Sequence, residues 1–138
     1  MPENEENAMI VAQEWMAKAD NDPRSAEYLL GMEDCPTDTI CFHVQQCVEK
    51  CLKALLVTQG TGFRKTHDLE ELVALVPSRL RPSLDDKEQD RLTEYATVTR
   101  YPGDYEPISV REARQAVGIA RRVQREVRRI LEKKPLFQ

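Results

Sequence analysis

The sequence predicts an all-α protein, an up-and-down helical bundle of about five helices in one domain covering residues 1–138. Three observations carry this. Apolar residues recur at helical intervals along the whole chain, and no segment alternates in the manner of a strand. Only 5 glycines and no low-complexity tract or repeat interrupt that periodicity. With 41% hydrophobic and 32% charged residues, the chain can bury a real core without staples.

The first amphipathic run extends from about Glu5 to Met32, behind an acidic tail at about 1–7. Its stripe is Ile10 or Val11, Trp15, Met16, Ala19, Ala26, Leu29 and Leu30. Pro23 either kinks this helix or starts a new one with Asp22 as N-cap. The stripe resumes nearly in phase, which favours one kinked helix. Thr37 or Asp38 is placed to cap the second helix, which runs to about Gln59 and stops at Gly60. Ile40, Cys41, Val44, Cys47, Val48, Cys51, Leu52 and Leu55 cover about 140° of its circumference at 100° per residue. So broad an apolar arc predicts a central helix with neighbours on more than one side.

A short basic loop, Thr61-Gly62-Phe63-Arg64-Lys65-Thr66, follows. The third helix is expected from Thr66 or His67 to Pro77, burying Leu69, Leu72, Val73 and Val76. Acids Asp68, Glu70 and Glu71 suit its positive end. After a connector at 78–83, Ser83 with Asp86 is expected to cap a fourth helix through about Val98. Pro102 and Gly103 force a turn at 100–105. Ser109 and Glu112 have capping-box spacing for a last helix to about Lys133, on the stripe Ala113, Ala116, Val117, Ala120, Val123, Val127, Ile130 and Leu131. Residues 134–138 read as a tail.

Charge is polarised although the net value is only −4. Residues 1–39 hold ten acids and two bases, whereas residues 111–138 hold nine bases and three acids. The two ends can pair with each other, dock a complementary partner or offer a basic face to phosphates. No run approaches the ~18 apolar residues of a membrane span, and the acidic start is unlike a secretory signal. A cytoplasmic location without membrane attachment is expected. The cysteines at 35, 41, 47 and 51 should then be reduced. Cys47 and Cys51 share a helix face, but one helix cannot surround a zinc ion with four ligands, so they read as buried thiols and no metal or other cofactor is expected.

Three places can carry chemistry. On the second helix, Gln46, Glu49 and Lys53 lie within about 60° of one another at 100° per residue. Glu49 and Lys53 have the favourable i,i+4 order, worth about 0.3–0.5 kcal/mol on a solvated face. As a cleft floor, the same arc offers Lys53 to a phosphate, Glu49 to orient it and Gln46 to a base or ribose. His67, at the start of the third helix, sits where the helix field favours a neutral imidazole and where backbone amides can hold an anion. Alternatively it merely packs on its neighbours. Arg100 and Tyr101 lie on the turn, where Arg100 can fork onto a phosphate and Tyr101 can stack on a base, or one can pair with an acid and the other fill a gap. The basic run from Arg121 to Lys134 is broken by Glu126 and Glu132 and lacks interleaved aromatics. RNA therefore ranks behind other ligands. No Ser–His–Asp context, Gly-rich phosphate loop, HExxH or repeated CxxC is present.

Taken together, Trp15 with Ala19 and Asp22, Phe42-His43-Val44-Gln45-Gln46, Glu49-Lys50, Leu52-Lys53-Ala54-Leu55-Leu56, Thr66-His67-Asp68-Leu69 and Arg100-Tyr101-Pro102 form a pattern. Over about Ala12 to Leu131 the chain resembles the HEPN domain family (higher eukaryotes and prokaryotes nucleotide-binding), in its stand-alone bacterial and archaeal form. The resemblance implies an up-and-down helical bundle, often a homodimer. It implies nucleotide binding and a small nucleotidyltransferase as partner, in several cases as a toxin–antitoxin pair. Gln46, Glu49, Lys53, His67, Arg100 and Tyr101 are the nucleotide-binding residues it carries over. Many family members are metal-independent ribonucleases with Arg, four to six residues, then His. Here the positions that would hold that Arg are Pro36, Thr37 and Asp38 before His43, and Gly60, Thr61 and Gly62 before His67. The resemblance thus assigns no catalytic residue. A ribonuclease with a degenerate site, or a non-catalytic scaffold, remains the alternative to nucleotide binding.

Overall fold

One helix organises the molecule. In the computed structural model, which describes residues 2–96, 103 and 106–133, α2 spans Thr37–Thr58. Around it lie α1 (Pro2–Leu30), α3 (Leu69–Leu75), a 3₁₀ turn (Ser78–Leu80), α4 (Asp86–Tyr95) and α5 (Val110–Lys133). Helix α2 touches all four other helices, and α1 also packs on α5. Every residue of its expected apolar arc, from Ile40 to Leu55, is fully buried. So are Gln45, Ala54 and Leu56, while Glu49 and Lys53 are nearly so. The central, many-sided position follows from that breadth. A narrower stripe would need only one neighbour.

Helix α1 is continuous through Pro23. The proline removes one helical donor and works against a helix by roughly 3 kcal/mol. Ala12, Met16, Ala19 and Ala26 nonetheless all bury on one face, so packing outweighs the proline. Asp22 does not cap a new helix. Its side chain turns toward α2, where it meets His43 and Lys50. The helix also opens at Pro2, earlier than the expected Glu5.

Helix ends differ from expectation where a tertiary partner competes for the cap. Pro36 is the N-cap of α2, and neither Thr37 nor Asp38 caps it. The Thr37 hydroxyl instead donates to the Ile108 carbonyl at 2.7 Å, tying the start of α2 to the approach of α5. Helix α3 starts at Leu69, later than the expected Thr66 or His67, and Asp68 caps it by accepting from the Glu70 and Glu71 amides. Asp85 and Glu88 form the capping box of α4 in place of Ser83 and Asp86. Ser83 is drawn to Glu126 on α5, by its amide at 3.0 Å and its hydroxyl at 2.7 Å. At the far end of α2, Gly60 does terminate the helix. It takes φ 67°, and amides 60 and 61 return to carbonyls 57 and 56. Ser109 accepts from the Glu112 amide as expected, while the Glu112 carboxylate turns to Tyr95 and Arg91. The expected end of α4 near Val98 lies outside the described residues.

Part of the polarised charge is neutralised inside the molecule. Arg121 grips Glu27 with two nitrogens, and Arg128 and Gln124 both bond Asp20, at 2.7 and 2.6 Å. The acidic start and basic end lie side by side. Among the described residues no helix is long and apolar enough to cross a membrane, and no three His, Cys, Asp or Glu side chains gather as a metal cage.

Burial pushes the Cys41 thiol up to about 12, and the hydrogen bond with neighbouring Cys47 together with burial holds Cys51 well above its ordinary value. Cys41, Cys47 and Cys51 are fully buried, whereas Cys35 is half-exposed between α1 and α2. Alkylation of the native protein at neutral pH is therefore expected to label Cys35 alone, and all 4 thiols only after unfolding. Peptide mass analysis reads the result directly. In the same core, Leu52→Ala should lower the unfolding free energy by about 2–5 kcal/mol in urea titrations, through the cavity it leaves.

Candidate functional site

A carboxylate inside a helical core must be paired or it will not stay ionised. Glu49, 4% exposed, satisfies this with both oxygens. Oε2 accepts from Lys53 Nζ at 2.9 Å, one helical turn on. Oε1 accepts from Gln45 Nε2 at 3.1 Å and meets His67 Nδ1 at 2.7 Å. Gln45 Nε2 also reaches the His67 carbonyl at 3.0 Å, and Gln46 Nε2 donates to Gln45 Oε1 at 2.7 Å. Gln46, Glu49, Lys53 and His67 thus belong to one connected network. Arg100 and Tyr101, the other two expected site residues, lie outside the described residues.

The Lys53 ammonium, 7% exposed, is enclosed as well as paired. It lies 5.4 Å from the Trp15 ring centre and 5.7 Å from that of Phe63. Both aromatic faces attract a cation. The ring from α1 and the ring from the 61–66 loop therefore cover the ammonium. Lys53 sits beneath the surface, not on the floor of an open cleft.

Burial by itself would raise the Glu49 carboxyl. The hydrogen bonds from Lys53, His67 and Gln45, with the Lys53 charge, more than offset it and hold the group below its ordinary value. An ionised carboxylate only accepts, so His67 Nδ1 carries the proton of that bond. Among the described residues its outer nitrogen, Nε2, has no hydrogen-bond partner, and the side chain is 60% exposed. The expected anion nest at the start of α3 is not open. Asp68 occupies the Glu70 and Glu71 amides, and the Thr93 hydroxyl takes that of Leu69. Upstream, Arg64 is clasped by Glu71 through two nitrogens.

Sequence reasoning missed Gln45, Trp15 and Phe63 as members of this network. Gln45 falls next to Gln46 but on the buried side, and nothing in its identity signals burial. It also missed the second histidine. His43 Nδ1 meets Asp22 Oδ1 at 3.0 Å, and Lys50 Nζ donates to Asp22 Oδ2 at 2.8 Å. Both histidines of the chain are held alike, each by a buried carboxylate that a lysine also holds.

Fold and network define a small all-α domain in which two buried carboxylates, Asp22 on α1 and Glu49 on the central helix, each hold an imidazole at the surface. The chain belongs to the HEPN domain family, which it matches over residues 12–130. It is similar to the crystal structure of TT1696 from Thermus thermophilus, with 26% identity, a TM-score of 0.70, and coverage of 86% of this chain and 96% of that one. It is also similar to ST0689, described as an archaeal HEPN homologue, with 25% identity, a TM-score of 0.68, and coverage of 87% and 97%. No curated protein matches. The family resemblance and the helical bundle read from the sequence are both borne out.

Replacing Glu49 by Gln keeps the shape and removes the charge. At pH 7 it leaves Lys53 buried without its counter-ion, and should lower the unfolding free energy by about 3–5 kcal/mol. The sign of the pH dependence follows from a carboxyl held below its ordinary value of 4.5. Its stabilisation is complete above that value and is lost as pH falls through the folded-state value. The stability gap between wild type and Glu49→Gln should therefore narrow on acidification below about pH 4.5. Denaturant titrations across that range check this, and a gap constant with pH would mean that Glu49 is not ionised in the fold.

Proposed function

We propose that this chain is a cytoplasmic nucleotide-binding module, homodimeric, that acts with a small nucleotidyltransferase in a pair of the toxin–antitoxin type. Family membership supports the ligand class. The observation that carries the reading is the Glu49 network, which fixes His67 by its inner nitrogen and leaves the outer one exposed. A phosphate accepts from the Nε2–H of the protonated form of His67 and from the Arg100 guanidinium, Tyr101 stacks on the base and Gln46 bonds base or ribose. Lys53 acts from below. It balances Glu49, so that the surface offered to the phosphate carries no uncompensated negative charge.

The same geometry favours a second reading, a metal-independent ribonuclease. With Nδ1–H held by Glu49, the neutral form of His67 would present a lone pair outward, the form a general base needs. Arg100 then neutralises the scissile phosphate of an RNA.

A nucleotide at 100 times its dissociation constant adds about 2.7 kcal/mol of stability. A panel of nucleotides should therefore raise the melting temperature of the wild type, and His67→Ala should abolish the rise. If no nucleotide shifts the wild type, the module is an interaction scaffold. A partner pull-down that survives Lys53→Ala with Arg100→Ala would then identify it as such. Cleavage of RNA by a nuclease-free preparation, lost in His67→Ala, selects the ribonuclease.

A further inference from the structure

The second imidazole borders a different hollow. Helix α1 places Asn21, Arg24, Ser25 and Tyr28 on one side by their i, i+3, i+4 and i+7 spacing, and these line an open cleft with Leu29 and His43. Its 680 Å³ falls within the range of small-ligand sites, about 300–1,000 Å³. Asp22, 5% exposed, stands behind it. Its two oxygens are taken by His43 and Lys50, so its charge is balanced inside the protein. Nδ1 of His43 is committed to Asp22, and the partly exposed ring has only Nε2 to offer the cleft.

The lining has one chemical character. Among the described residues it presents a guanidinium, an amide, a hydroxyl and an imidazole, and no carboxylate. Tyr28, 80% exposed on α1, supplies a flat apolar surface at the edge. Donors without an acid suit an anion, the planar fork of Arg suits a phosphate, and an exposed aromatic ring suits a planar heterocycle.

We propose that the cleft formed by Asn21, Arg24, Ser25, Tyr28 and His43 is a second ligand site, taking a phosphomonoester carried on a planar ring, with Asp22 as the residue that positions His43. Arg24 and the Nε2–H of the protonated form of His43 hold the phosphate, and Tyr28 stacks on the ring. The site shares no side chain with the Glu49 network and does not depend on the function proposed for it.

The chain has only 2 histidines, so its imidazole Cε1–H signals form a two-peak spectrum, assigned with His43→Gln and His67→Gln. The full chain is titrated with adenosine 5′-monophosphate, adenosine and inorganic phosphate. The nucleotide is expected to move the His43 and Tyr28 signals along one saturable curve. Arg24→Ala should weaken that binding about tenfold or more, the loss of a charge-assisted hydrogen bond. Tyr28→Ala should weaken it about fivefold or more, the loss of a stacked ring. Both residues are exposed on a helix, so neither change threatens folding. The proposal is overturned if millimolar nucleotide leaves His43 unmoved, or if Arg24→Ala and Tyr28→Ala bind as the wild type does. It is also overturned if adenosine alone or phosphate alone matches the nucleotide. Movement of His67 without His43 refutes this site and leaves the Glu49 reading standing. Movement of His43 without His67 does the reverse.

Discussion

The structure depends on the near-complete burial of α2. Four helices surround it, so any charge on α2 must find its counter-charge within reach or be expelled to water. Glu49 finds Lys53 on its own helix and His67 from the loop before α3. Asp22, on the facing surface of α1, finds His43 and Lys50 on α2. These pairs add little net stability, because the desolvation of buried ions offsets much of their attraction. Their contribution is to register. A slip of α1 along α2 by one turn, about 5.4 Å, would leave Asp22 buried without its partners. A slip of the 61–68 loop would do the same to Glu49. An apolar interface alone would tolerate such shifts more easily.

The same constraint explains why the polar arc holds something besides solvent. On an exposed helix, Glu49 and Lys53 would form a weak i,i+4 pair. Here Trp15 and Phe63 close over the ammonium, and the pair becomes a fixed internal dipole. What reaches the surface is not the charge but its consequence, an imidazole held by its inner nitrogen at a fixed place. His43 and His67 are the outward ends of two such relays.

Much of the scaffold was legible because helical periodicity records burial directly. The stripes of α2 and α5 could be read residue by residue, and of these residues only Ile130 is not buried. Helix ends were less legible, since a cap is decided by competition. Ser83 and Asp85 both have capping chemistry, and Ser83 lost the role only because Glu126, 43 residues on, sits beside it. The candidate site was half legible for a similar reason. The spacing of Glu49 and Lys53 announced a pair, and His67 announced itself by its type. Their union required knowing that the loop folds back over α2, which no local signal states. Asp22 misled through its neighbour. Beside Pro23 it resembles an N-cap, yet the packing of α1 keeps the helix continuous and sends the carboxylate across to α2.

The motifs that carry the family resemblance can now be assigned physical tasks. Asp22, His43 and Lys50 make one relay, and Gln45, Glu49, Lys53 and His67 make the other. Trp15 roofs the second, and Asp68 caps the helix that follows. Most of the pattern therefore encodes how α1, α2 and the 61–68 loop lock together. A sequence can satisfy those requirements whatever it binds, so membership in the family fixes the scaffold more tightly than the ligand. Ligand choice rests with groups outside the locks. Around His43 these are Arg24, Ser25 and Tyr28, which face a cleft and hold no helix in register. Changing them should alter recognition without unfolding the bundle, whereas changing a relay residue should alter both.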